Sequence, residues 1–121
     1  MIDEIYTFDE IYHVRVLEGL PQTKTVLKQV EYTVASTRAL GGKLLKLVHD
    51  ETLGPSQARL RAEIRRLLRV MQREGRIRLM IPGEQFSMSD TATRYLADKC
   101  PQVELDLDMD KKNGNITVVQ L

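Results

Sequence analysis

Cysteine is almost missing from this chain. Among 121 residues there is one, Cys100. No intrachain disulfide can form, which sets aside the stapled secreted scaffolds and fits a reducing compartment such as the cytoplasm. Beside the Pro101 turn, Cys100 is expected to be a small buried filler rather than a nucleophile. Tryptophan is absent, and there are only two Phe and four Tyr. Base-stacking platforms for single-stranded nucleic acid therefore have little to be built from. No apolar run approaches the ~20 residues of a membrane span. The opening MIDEIYTFDE is acidic, without the basic flank and apolar centre of a signal peptide. No repeat, linker or low-complexity segment interrupts the chain, and its length predicts one domain over residues 1–121.

Charge is nearly balanced overall, at +1, but it is sorted along the chain. Residues 1–10 hold Asp3, Glu4, Asp9 and Glu10 and no base, and are expected to be an acidic N-terminal extension. Residues 59–78 hold eight arginines against Glu63 and Glu74. Residues 104–110 hold Glu104, Asp106, Asp108 and Asp110. A basic face and acidic ones lie hidden in the average.

Periodicity supplies the fold class. Tyr12–Leu17 reads as a short strand, broken by Gly19 and Pro21. Gln22–Leu40 follows helical spacing, with Val26, Leu27, Val30 and Val34 on one face, until Gly41-Gly42 stops it. Leu44–Val48 is a mostly apolar run between breakers, the pattern of a parallel strand covered by helices. Gly54-Pro55-Ser56 opens a second helix with an apolar stripe of Leu60, Ile64, Leu67, Leu68 and Met71, ended by Gly75. Ile77–Ile81 is a strand closed by Pro82-Gly83, and Ser89-Asp90 begins a short helix through Lys99. Val103–Met109 alternates strictly and predicts a strand with four carboxylates on its wet face. Asn113-Gly114 is a hairpin signal before a terminal strand, Ile116–Leu121. The expected fold is α/β, a two-layer sandwich of β-α-β-α-β-(α)-β-β order. Its sheet is mixed, and both long helices lie on one face.

Four stretches in order resemble the Smr (small MutS-related) domain, in its longer bacterial branch. They are the strand ending in His49 with Gly54 beyond it, the arginine-rich helix SQARLRAEIRRLLRVMQREG, the strand-to-turn segment IRLMIPGEQFS, and the ending NGNITVVQL. The resemblance implies a compact fold similar to the C-terminal domain of translation initiation factor three. It also implies binding of DNA or RNA and, in many members, an endonuclease. The D-x-H part of the family's L-D-x-H-type motif falls on Val16-Leu17-Glu18, which places Val16 at the acidic position and Glu18 where the histidine belongs. In its H-G-x-G loop His49 is kept, but Asp50 and Thr52 replace both glycines. Asp50 and Glu51 then put negative charge where a phosphate would dock.

These residues define the functional expectations. His49, Glu18 and Asp50 are the catalytic candidates, and Glu51 could join them around Mg²⁺ or Mn²⁺ if the chain still cuts a phosphodiester. A carboxylate beside His49 would favour its protonated form, a poorer base. The simpler expectation is a strand-end histidine held by local hydrogen bonds, with no cofactor and with nuclease activity weakened or lost. With Leu60 as the inward direction on a helical wheel, Arg61, Arg65, Arg66, Arg69 and Arg73 fan across the far side. They are the nucleic-acid-binding candidates, reading backbone rather than sequence. His13, at the start of the first strand, is expected to be structural or exposed. The carboxylate ladder at 104–110 allows one further reading, a homo-dimer or other self-association of acidic ladder against arginine helix.

Overall fold

Strand and helix alternate as the periodicity demands, with one strand more at the start and one fewer near the end. The computed structural model describes residues 2–8, 11–16, 23–49 and 55–121, the first two stretches by their backbone. The elements are β1 (Ile2–Phe8), β2 (Ile11–Val16), α1 (Thr23–Ala39), β3 (Leu44–His49), α2 (Pro55–Arg73), β4 (Leu79–Pro82), α3 (Thr91–Lys99) and β5 (Ile116–Gln120). Short 3-10 turns cover Gly83–Gln85 and Pro101–Leu105. The sheet order is β1-β2-β3-β5-β4. Strand β2 runs parallel to β3, and β5 runs antiparallel to both β3 and β4. So β3 and β4 are parallel to each other, and α2 crosses over the position that β5 fills between them.

The two long helices share one face of this sheet. Val26, Val30 and Val34 of α1 and Leu60, Ile64, Leu68 and Met71 of α2 pack with Leu45, Leu47 and Val119 in one core. These residues are buried almost completely, each worth roughly 1.5–3 kcal/mol for a side chain of this size. The threonines and valines of α1 are weak helix formers, so that helix depends on this packing. Because side chains alternate along a strand, Leu44, Ile116 and Val118 face the other way. There they pack with Phe86, Leu96, Val103 and Met109 beneath α3 and the loop after it. The chain is thus α/β, with a long-helix layer on one side of the sheet and a shorter cover on the other. Both long helices end on a glycine with positive φ, Gly41 at 85° and Gly75 at 76°. In each case the next residue's amide bonds back five residues, Gly42 to the Thr37 carbonyl and Arg76 to that of Met71.

Three expectations change. The first ten residues are not a plain acidic extension, because Ile2–Phe8 forms β1 and pairs antiparallel with β2. Ile2, Ile5, Tyr6, Thr7 and Phe8 are strand formers that the count of acids concealed. The alternating Val103–Met109 segment is no strand. Its backbone closes turns of three residues, Asp106 N–H to the Val103 carbonyl and Met109 N–H to that of Asp106. A period of three therefore replaces the period of two. Val103 and Met109 face inward, while Leu105 and Leu107 are 86% and 87% exposed. Asn113-Gly114 then makes a turn into β5 but joins no hairpin, since no strand precedes it.

Candidate functional site

The site grows from the C-terminal end of β3 and the face of α2 above it. His49 ends β3 and, by alternation, points to the same side as Leu45 and Leu47, towards α2. It is only 4% exposed, and its Nε2 lies 2.8 Å from the hydroxyl of Thr117 on β5. Arg65 of α2 reaches the same hydroxyl, its Nε donating at 3.0 Å. The Arg65 Nη2 donates to the Ile116 carbonyl at 2.8 Å and to that of Gly114 at 3.2 Å. The guanidinium also grips Glu84 at both oxygens, Nη2 to Oε1 at 2.9 Å and Nη1 to Oε2 at 3.2 Å. Arg61 donates to the Gly114 carbonyl at 2.8 Å, and Gln57 to the Asn115 side chain at 2.8 Å.

Glu84 arrives there because of Gly83. A Cβ at Gly83 would lie 1.8 Å from the Asn113 carbonyl oxygen and 2.6 Å from Ile116. Only glycine lets the turn after β4 abut the 113–116 segment, and that contact presents the next residue to Arg65. Burial pushes the Glu84 carboxyl up. The hydrogen bond and charge of Arg65, its bond to a backbone amide and the charge of Arg61 together outweigh burial, so it lies below its ordinary value.

His49 behaves oppositely to the expectation of a protonated ring. Burial, then the charges of Arg65 and Arg61, lower its pKa from 6.5 to about 3, with Glu84 opposing them. At neutral pH the ring is uncharged. The Thr117 hydroxyl already accepts from Arg65, which can only donate, and is itself fully buried. Its single proton is satisfied if it donates to His49 Nε2, which places the ring proton on Nδ1. The arrangement is a closed hydrogen-bond lattice tying β3, α2, β5 and the Gly83 turn together. It is not an open base awaiting substrate.

The arginines divide into two groups. The apolar stripe of α2 centres between Ile64 and Met71 rather than on Leu60. At 100° per residue this brings Arg61 and Arg65 to the flank of the core, within about 70–110° of its centre. Arg65 is accordingly buried and Arg61 half-buried, a correction to their expected place on the far side. Arg66, Arg69 and Arg73 are exposed as expected, and Arg59 joins them within an 80° sector by the same wheel. Arg66 makes a loose pair with Glu63 at 3.4 Å. A shallow groove of about 300 Å³ runs beside this ridge, floored by Ala58 and Ala62 and edged by Arg61, Arg65, Arg66 and Arg69.

Glu18, Asp50 and Glu51 lie outside the described residues. Among the described residues no three His, Cys, Asp or Glu side chains form a metal-ligand group. No helix among them is long and apolar enough to cross a membrane. His13 falls inside β2.

A second buried polar cluster has no counterpart in the expectations. Lys46, in the middle of β3, points away from α2 and is 5% exposed. Its ammonium meets Asp106 at 2.8 Å and also pairs with Asp108. The carboxylates expected on a wet strand face are in part the counter-ions of this lysine. The signal was Lys46 itself, a lone charge inside an apolar run. Glu84 and Thr117 stand inside two of the resembling stretches, IRLMIPGEQFS and NGNITVVQL, but no role is expected for either there. Comparison of the chain with family models, with curated proteins and with solved structures gives no match.

Proposed function

We propose that this chain is an Smr-like domain that holds DNA or RNA by its phosphate backbone on the outer face of α2, acting in the cytoplasm. The observation that carries this reading is the exposed ridge of Arg59, Arg66, Arg69 and Arg73. Among the described residues only Arg66 of these forms an ion pair. Guanidinium forks match phosphate oxygens, and a helix face presents them without burying competing acids. The four resembling stretches, and a core in which both long helices cover one sheet face, fit the same reading.

Under this reading His49 serves the fold. The nuclease alternative, with Glu18, His49 and Asp50 or Glu51 around Mg²⁺ or Mn²⁺, needs the ring to face a substrate. Its burial and its bond to Thr117 argue against that. Self-association of an acidic ladder with the arginine helix would have only Glu104 and Asp110 to draw on, because Asp106 and Asp108 turn inward to Lys46. The test is a salt series with duplex, branched and single-stranded substrates, with and without Mg²⁺. Four phosphate contacts give log K against log salt a slope near −3.6 on duplex and near −2.8 on single strands. No binding to any polynucleotide at low salt defeats the proposal, and robust cutting lost in His49→Ala restores the nuclease.

A further inference from the structure

The four exposed arginines of α2 stand in one row. Arg59, Arg66 and Arg73 repeat every seventh residue, which keeps them within about 40° of one another over about 21 Å of helix axis. Arg69 stands about 60° to one side of Arg66, and the groove of about 300 Å³ runs along that side. Ala58 and Ala62 form its floor, and both are exposed, so the helix backbone can be approached closely there. Arg61 and Arg65 close its inner side, and both are tied to the Gly114 carbonyl, at 2.8 and 3.2 Å. Arg65 is further engaged by Thr117 and Glu84. Among the described residues no acidic side chain lines the groove, but acids stand outside it on both flanks. Glu63 and Glu74 lie about 60–80° from Arg66 on the side away from Arg69. Glu84, its side chain 47% exposed, lies beyond Arg65 on the other.

We infer that one sugar–phosphate strand runs along this groove, so that α2 holds nucleic acid by a single strand, free or as one edge of a duplex. The inference rests on the backbone-binding reading above and adds the form of the partner. A row of cations with acids on each flank attracts one line of phosphates and repels a second line beside it. Straddling a duplex groove requires two rows of free cations, at least about 6 Å apart for the narrower groove. The second row here would be Arg61 and Arg65, and those are engaged within the fold. The alanine floor serves the same arrangement. It leaves room for a phosphate and its sugar to settle against the helix beside Arg66 and Arg69, where a larger side chain would hold them off.

The experiment measures the salt dependence of binding of the full chain to three labelled DNAs. They are a duplex, a single strand, and a duplex in which one strand carries neutral methylphosphonate linkages throughout. The half-neutral duplex has the charge of one strand, so a protein that follows one strand should show on it the single-strand slope, near −2.8. A protein that straddles a groove keeps only two of its four contacts there, and the slope falls to near −1.4. A second arm uses Ala62→Leu, which fills the groove floor without changing any charge and keeps a good helix former at an exposed position. It should weaken binding to the single strand about tenfold, the worth of one charge-assisted contact, with an unchanged melting temperature. A slope near −1.4 on the half-neutral duplex, or Ala62→Leu binding like the wild type, overturns the inference and leaves the backbone-binding reading standing. No binding to the unmodified duplex or single strand at low salt overturns both.

Discussion

Acidification should destabilise this protein through His49 before its carboxylates titrate. In the folded chain the ring is buried against Arg65 and Thr117 and its pKa is lowered to about 3. In the unfolded chain it returns to about 6.5. Between those values the unfolded state binds more protons, so the stabilisation is fully present above pH 6.5 and is lost as pH falls through the window. From pH 7.5 to pH 5 the loss amounts to about 2 kcal/mol, and a folded value one unit higher would change it little. Urea unfolding at half-unit pH steps measures it. His49→Gln supplies the control, since an amide can still accept from Thr117 but does not titrate, and His13 is present in both proteins. The wild type should lose about 2 kcal/mol more than the variant over this range. Equal slopes, or a His49 ring titrating near 6.5 by NMR, would refute the closed lattice drawn around it.

Three other substitutions test separate parts of the structure. Lys46→Met leaves Asp106 and Asp108 partly buried without their cation, and should cost about 3–5 kcal/mol in denaturant unfolding. Gly83→Ala drives a methyl into the Asn113 carbonyl oxygen and should cost at least about 2 kcal/mol, detaching Glu84 from Arg65. Arg65→Ala removes donors from Thr117 and the Ile116 carbonyl and should cost about 2–4 kcal/mol, whereas Arg69→Ala on the exposed ridge should cost less than about 0.5 by the same thermal or urea assay.

Much of this architecture is legible in the sequence, and the misses share a cause. The stripe from Leu60 to Met71, the Gly41 cap and the apolar run of β3 each follow from one local rule, and each holds. Val103–Met109 fails because local alternation competed with a counter-ion. Lys46 enters the interior from β3, and the segment folds into three-residue turns that carry Asp106 and Asp108 to it. Arg65 was misplaced for a related reason. A helical wheel gives directions relative to a chosen centre, and that centre is set by which stripe the sheet accepts. The lattice around His49 joins residues far apart in sequence, 49, 65, 84 and 117, and no single-window rule can assemble it. Only the family likeness pointed to His49, and it pointed to chemistry where the structure has a structural bond.

The central claim is that the exposed ridge of α2, rather than the buried Arg65 and His49, meets nucleic acid. Its most direct test compares the salt dependence of binding for the wild type and for Arg66→Ala/Arg69→Ala/Arg73→Ala, using fluorescence anisotropy with a labelled duplex and a labelled single strand. The account predicts a slope near −3.6 falling to near −0.9 on the duplex, and near −2.8 falling to near −0.7 on the single strand, weaker binding to every sequence alike, and an unchanged melting temperature. Equal slopes for the two proteins would contradict it.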